Sequence, residues 1–254
     1  MTSTTKNRRF NILYKLLIIA FWLIVWQAVC IVVNKALIIP SPASVAQKLV
    51  ELSGQNDFWT SIFGSFTKTL LGFALALVVG GFLGFVVYYN KIIKDFLDPI
   101  ITIIKTVPVV SISFIAIFFI KSEYIPVFVS FLMVIPIAME NVYTGIINTD
   151  KKYLEMAEVY QFKKRDILKN IYFPSALPYF ISAASIGIGY AWKSSITAEI
   201  LASVKDGIGN QLYLAKIYLE SDSIFAWTIV IVLLSLLFSK LLKLIVKKYD
   251  RYRV

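Results

Sequence analysis

The chain contains no histidine and a single cysteine, Cys30, in 254 residues. Without histidine it lacks both the commonest general base and the commonest transition-metal ligand. One cysteine cannot form an internal disulfide, and Cys30 sits inside a hydrophobic run, which argues against a thiolate metal cluster. Nowhere does the sequence read Gly-x-x-x-x-Gly-Lys-Ser/Thr, the loop whose backbone cradles nucleotide phosphates, so any ATP used must be bound by another polypeptide. Charge is scarce too, at 16% of residues, with only 15 acidic residues against 26 lysines and arginines.

What fills the chain instead is apolar. Hydrophobic residues make up 58% of the sequence, too many for a soluble domain and enough for a polytopic membrane protein, here read as one membrane domain over residues 1–254. The net charge of +11 does not make it a nucleic-acid binder, because the cations cluster beside hydrophobic runs and not on one solvated face. Six apolar runs are long enough to cross a bilayer, at roughly residues 12–33, 62–89, 99–120, 124–147, 175–202 and 224–246. The first is longer than a cleavable signal core and no small-x-small site follows it, so it reads as a span.

Cations choose the orientation. Lys6, Arg8, Arg9, Lys91, Lys94, Lys151, Lys152, Lys163, Lys164, Arg165, Lys169 and the tail cations Lys247, Lys248, Arg251 and Arg253 fall on one side of the six spans. The other side holds Lys35, Lys48, Lys121, Lys205 and Lys216. The positive-inside rule therefore expects both termini in the cytoplasm. On the outer side, Ile39-Pro40-Ser41-Pro42 breaks the chain before a surface amphipathic helix over Ser44–Leu52, and Ser203–Ser223 reads as a second outer loop.

Within the spans, small residues recur every fourth position as Gly72, Ala76, Gly80 and Gly84, and again as Ala183, Gly187, Ala191 and Ser195. Such ladders let another helix approach closely where lipid supplies no hydrophobic drive, so both read as packing faces. Ionisable residues inside the spans are costly and face protein or water. Lys105 and Glu140 each lie about seven residues from a cytoplasmic end, roughly 10 Å deep at helical rise, and are placed to pair.

The remaining polar stretch lies between the fourth and fifth spans, Asp150–Pro178. At helical spacing Tyr153, Leu154, Ala157 and Tyr160 to Phe162 form an apolar stripe, with Lys151, Lys152, Glu155, Glu158 and Lys163 to Arg165 elsewhere. A short amphipathic helix wedged between two spans has little of its own chain to cover that stripe, which points to a partner. The plainer reading is a solvated loop that merely satisfies the positive-inside rule. Pro174 and Pro178 close the segment.

Here the residues resemble a family. Glu155-x-Ala157, followed without any gap by Ile171-x-Phe173-Pro174, is similar to the EAA loop of bacterial ABC importer permeases: Glu-Ala-Ala, three residues, Gly, nine residues, Ile, one residue, Leu-Pro. Met156 stands for the first Ala, Phe173 for Leu, and Gln161 for the Gly that turns the chain between two short helices. Gln161 must make that turn in another way or run on as helix. Pro40-Ser41-Pro42 ahead of Phe58-Trp59, and the proline-bearing Thr106-Val107-Pro108, also resemble the nitrate, sulfonate and taurine branch of these permeases, though Pro-Ser-Pro taken alone is better explained as turn chemistry.

The resemblance covers nearly the whole chain and implies an all-α, type I importer-like fold of six spans in the bacterial inner membrane. It implies a cytoplasmic coupling helix within residues 150–174, with Tyr153, Leu154, Glu155, Ala157, Gln161, Ile171 and Pro174 meeting the ATPase. It further implies that this chain is not an enzyme, that ATP and magnesium sit on separate ABC ATPase subunits, that a second permease chain completes a homodimer amid membrane lipid, and that an external binding protein delivers the solute. Branch members carry small anions, such as sulfonates, nitrate or bicarbonate, or vitamin precursors. Lys193, Ser195, Lys105 and Glu140 are the candidates for the solute path, Lys193 leaning to an anion, with snorkelling or an unnoticed carboxylate partner as its plainer explanation. Two other classes stand beside this one. An ion-coupled secondary transporter would commonly show internal repeats, and none is visible. An intramembrane enzyme would have to work with serine, lysine and carboxylates alone.

Overall fold

The computed structural model describes residues 3–35 and 37–250. Among these every regular element is helical: α1 (Ser3–Val33), α2 (Pro42–Ser53), α3 (Asn56–Tyr89), α4 (Lys91–Thr106), α5 (Val109–Ile117), a 3-10 turn (Ser122–Tyr124), α6 (Ile125–Ile147), α7 (Lys151–Val159), α8 (Lys164–Ile167), a π turn (Leu168–Tyr172), α9 (Phe173–Ala202), α10 (Ile208–Ile217) and α11 (Ser221–Asp250). Five helices are long and apolar enough to cross a membrane, or six if the bent pair α4 and α5 is taken as one span. The terminal cations Lys6, Arg8, Arg9, Lys247, Lys248, Arg251 and Arg253 lie outside the residues whose side chains are described.

Two compact units divide the chain, Met1–Trp59 with Gln211–Val230, and Thr60–Asn210 with Ile231–Val254. In the first, the Trp26 indole donates to the Pro40 carbonyl at 3.1 Å and its ring stacks on Phe225. The Ser41 hydroxyl accepts from the Ser44 amide, capping α2, whose first residue is Pro42. This is the economical helix start, since proline there gives up an amide that would have no intrahelical partner.

The second unit is organised around α6. The α3 ladder faces it: a Cβ on Gly72 would collide with the Ser130 hydroxyl and the Val127 carbonyl, one on Gly80 would lie 2.7 Å from Ala138 Cβ, and one on Gly84 would lie 2.7 Å from Val142 Cβ. The α9 ladder buries completely, with Ala183, Ala191 and Ser195 at 0% exposure, and α9 packs along α6, where a Cβ on Gly187 would stand 3.0 Å from Val134 Cγ1. One helix thus receives two small-residue ladders, and van der Waals contact between close backbones holds the three together. Trp192 is 1% exposed and donates its indole N–H to the Ile231 carbonyl at 3.2 Å.

Three expectations are corrected. The third span is not one helix from 99 to 120. It breaks between α4 and α5, which meet at 101°, because Pro108 holds Val107 extended (φ −72°, ψ 131°) and cannot donate across the joint. The helix α4 also starts earlier than the expected residue 99, at Lys91, where the Asn90 side chain accepts from the Ile92 and Ile93 amides, so Lys91 and Lys94 lie within it. The stretch from Ser203 to Ser223 is not all loop, since it folds α10.

Candidate functional site

Residues 150–174 fold as α7, a turn, α8 and the π turn. The Asp150 carboxylate accepts from the Lys152 amide at 3.0 Å and starts α7. The turn that ends α7 is made at Gln161, whose φ is 53°. The Phe162 amide bonds back to the Ala157 carbonyl at 2.8 Å and the Gln161 amide to the Glu158 carbonyl at 3.0 Å. Those are the two bonds of a Schellman cap, with glutamine in the left-handed place that glycine usually fills. Of the two routes left open for Gln161, the chain therefore takes the turn.

Ala157 and Ile171 are buried, at 1% and 6% exposure, and anchor the segment to its own unit. Its outward side is unusually apolar for a polar stretch: Tyr153 is 56% exposed, Tyr160 71% and Val159 78%, with Met156 also exposed. Tyr153, Met156 and Tyr160 stand at i, i+3 and i+7 and so share one face. Sequence reasoning placed Ala157 in the outward stripe and missed Met156 and Val159. The correction is that Ala157 faces inward. Leu154 is half-buried and Glu155 exposed.

At the root of the segment the backbone widens into a π turn, in which the Phe173 amide reaches the Leu168 carbonyl, five residues back. Pro174 supplies the cause, since it has no amide to donate into an α-helical ladder at that point. Tyr172 in this turn accepts a hydrogen bond from the Tyr88 hydroxyl of α3 at 2.9 Å, and Phe173 stacks on Phe85.

Among the solute-path candidates, Lys105 on α4 and Glu140 on α6 form an ion pair, with Nζ 2.8 Å from Oε1 and 3.0 Å from Oε2. Each side chain is about half exposed, 51% and 46%. They line a cavity of about 240 Å³ with Pro136, Met133, Ile186 and Tyr190. Lys193 is exposed and lies three residues after Tyr190, on the same side of α9. Ser195 does not join them: it is wholly buried, its hydroxyl has no hydrogen-bond partner, and it does not line open space. The reason is its place in the α9 ladder.

One polar residue has a different setting from the one its place near the end of a span suggests. Glu199, which its sequence position leaves open to the solute path or to the membrane interface, is 0% exposed. It accepts from the Ser65 hydroxyl at 2.6 Å and from the Gly209 amide at 3.0 Å. Ser65 lies 134 residues away in sequence, so no local pattern pointed to the pairing.

Comparisons with known proteins agree with this architecture. The chain is 30% identical to the nitrate import permease protein NrtB of Synechocystis sp. over 80% of this chain and 76% of that one. It is 23% identical to the putative aliphatic sulfonates transport permease protein SsuC of Bacillus subtilis over 97% of this chain and 90% of the relative. In fold it is similar to the MetNI methionine ABC transporter seen in inward-facing conformations, with a TM-score of 0.65 at 16% identity over 75% of this chain and 96% of that chain. The profile of the binding-protein-dependent transport system inner membrane component family matches residues 72–252, which takes in α4 to α9 entire, and the chain belongs to that family.

Proposed function

We propose that this permease chain works as one half of a homodimer, takes a small anion from an external binding protein, and is driven by a separate ABC ATPase that grips residues 151–165. The observation that carries the reading is the outward face of α7. Tyr153, Met156 and Tyr160 offer apolar surface on an otherwise charged segment, and a soluble partner with a matching groove would remove that surface from water. The Schellman turn at Gln161 and the buried Ala157 and Ile171 hold the face in place. Nucleotide-driven closure of the ATPases would then push α7, and the push would pass through the π turn into α9 as a rigid-body movement. With that face towards the ATPases in the cytoplasm, the far end of α9 opens outward.

The anion preference rests on Lys193, since Glu140 offsets the charge of Lys105. Lys193 emerges from α9 on exposed surface, one turn from the cavity that Lys105 lines. A half-exposed ion pair at span depth is costly against lipid, so the cavity would face water between two copies of the chain. Relatives that carry nitrate and sulfonates support the same class.

Co-purification tests the coupling. Glu155→Lys, or Tyr153→Asp with Met156→Asp, should release the ATPase subunit while the permease still assembles in the membrane, and an undiminished complex would sink the docking assignment. Lys193→Ala should leave assembly intact and reduce uptake of labelled nitrate or ethanesulfonate at least several-fold. Uptake at the parent rate for every anion offered would remove Lys193 from the path.

A further inference from the structure

Ser203–Gly209, the connection from α9 together with the first turn of α10, is tied down from below by a buried carboxylate. Glu199 Oε2 holds the Gly209 amide at 3.0 Å and the Ser65 hydroxyl at 2.6 Å, and the same Ser65 oxygen accepts the Ile208 amide at 2.8 Å. Thus one acidic side chain on α9, one hydroxyl on α3 and two backbone amides of the connection form a closed set. No slack is left around it. A Cβ on Gly207 would lie 2.6 Å from Glu199 Oε2, a Cβ on Gly209 would stand 2.7 Å from the Ile200 amide nitrogen, and a Cβ on Gly64 of α3 would strike the Asp206 carbonyl, which also accepts from Lys68.

Burying a carboxylate is expensive, and Glu199 Oε1 has no hydrogen-bond partner, but an apolar side chain in its place would leave the buried Gly209 amide and Ser65 hydroxyl without their acceptor. What the carboxylate supplies is a directional grip on the backbone where α10 begins. The gripped segment carries Lys205 and Asp206, which with Lys68, Lys121 and Glu123 line an open crevice of about 670 Å³ at the end of α9 remote from the coupling segment. Between the two ends, α9 is continuous over 30 residues, about 45 Å of helix at 1.5 Å per residue.

We infer that Glu199 is a positioning residue for transport. It locks the Ser203–Gly209 segment and the turn of α3 around Ser65 to the far end of α9, so that movement received at residues 151–165 arrives at the charged crevice and is not absorbed by a loose loop. This rests on the coupling reading above and adds to it the place where the stroke is delivered. The carboxylate acts through hydrogen bonds, so an isosteric amide, which keeps an acceptor oxygen for Ser65 and Gly209, serves nearly as well.

Hydrogen exchange in the complex of this chain with its ATPase, with and without ATP plus vanadate, tests the inference. In the parent complex, trapping should change exchange at both residues 151–165 and 203–209, by about tenfold at each, within the usual range for coupled sites. Glu199→Ala and Ser65→Ala should keep the response at 151–165 and lose it, to within about twofold, at 203–209. Glu199→Gln should keep both. Should Glu199→Ala fail to assemble, Ser65→Ala decides, since it removes two of the bonds with little change in volume. A full response at 203–209 in Ser65→Ala overturns the inference, as does equal loss at both segments, or a Gln variant that behaves like Ala. A parent complex that responds at 151–165 but not at 203–209 overturns it alone, whereas no response at 151–165 brings down the coupling reading as well.

Discussion

The two ends of α9 handle the same constraint in opposite ways. At Phe173 the helix is entered through a π turn, beneath a left-handed Gln161, beside two tyrosines whose hydroxyls bond each other, and under an exposed apolar face. At Ala202 it leaves through a left-handed Ser203 into a connection fixed by a wholly buried Glu199. Irregular backbone with exposed side chains suits an end that engages a separate body. Buried polar bonds with glycine on every open side suit an end that must not give.

The contrast sets an order of expected effects. Gly209→Ala drives a methyl into Glu199 and the Ile200 amide, and should cost about 2 to 3 kcal/mol by overpacking, read as a lower thermal midpoint of the detergent-purified chain. A midpoint unchanged from the parent would mean that this end is as loose as the other. Tyr88→Phe removes the hydroxyl bond to Tyr172 and should cost roughly 1 kcal/mol in the same measurement; a loss as large as that at Gly209 would erase the distinction. Gln161→Gly has the opposite sign. Relief of a left-handed non-glycine residue, offset by the extra freedom of glycine in the unfolded chain, should leave a gain of up to about 1 kcal/mol. A loss there would show that the Gln161 side chain, and not only its backbone, is required.

Much of this was legible in the residues because it repeats at short range. The spacing of Gly72, Ala76, Gly80 and Gly84 announced a packing face, and the charge between Asp150 and Pro174 set apart the segment that folds as α7, α8 and the π turn. What the spacing could not give was the partner, and that both ladders address α6 is a three-dimensional fact. Pro108 was read as a proline within a continuous third span, and the 101° between α4 and α5 depends on how the flanking turns pack, which dihedral restriction alone leaves open. Ala157 and Met156 exchanged places relative to expectation, because on so short a helix the small residue can approach its own unit and the larger ones stay out. Glu199 was the least legible. A carboxylate near a span end looks like an interface residue until Ser65 is seen beside it.

The Lys105–Glu140 pair has a consequence for the life of the chain before it meets anything else. A newly inserted single copy would present two charged heads to acyl chains and draw headgroups and solvent inward, thinning the leaflet locally. On the proposed homodimer, a second copy over that side would end the distortion, so an orphan would be marked by the membrane defect that it carries, and its removal or its pairing would be a matter of how long that defect lasts.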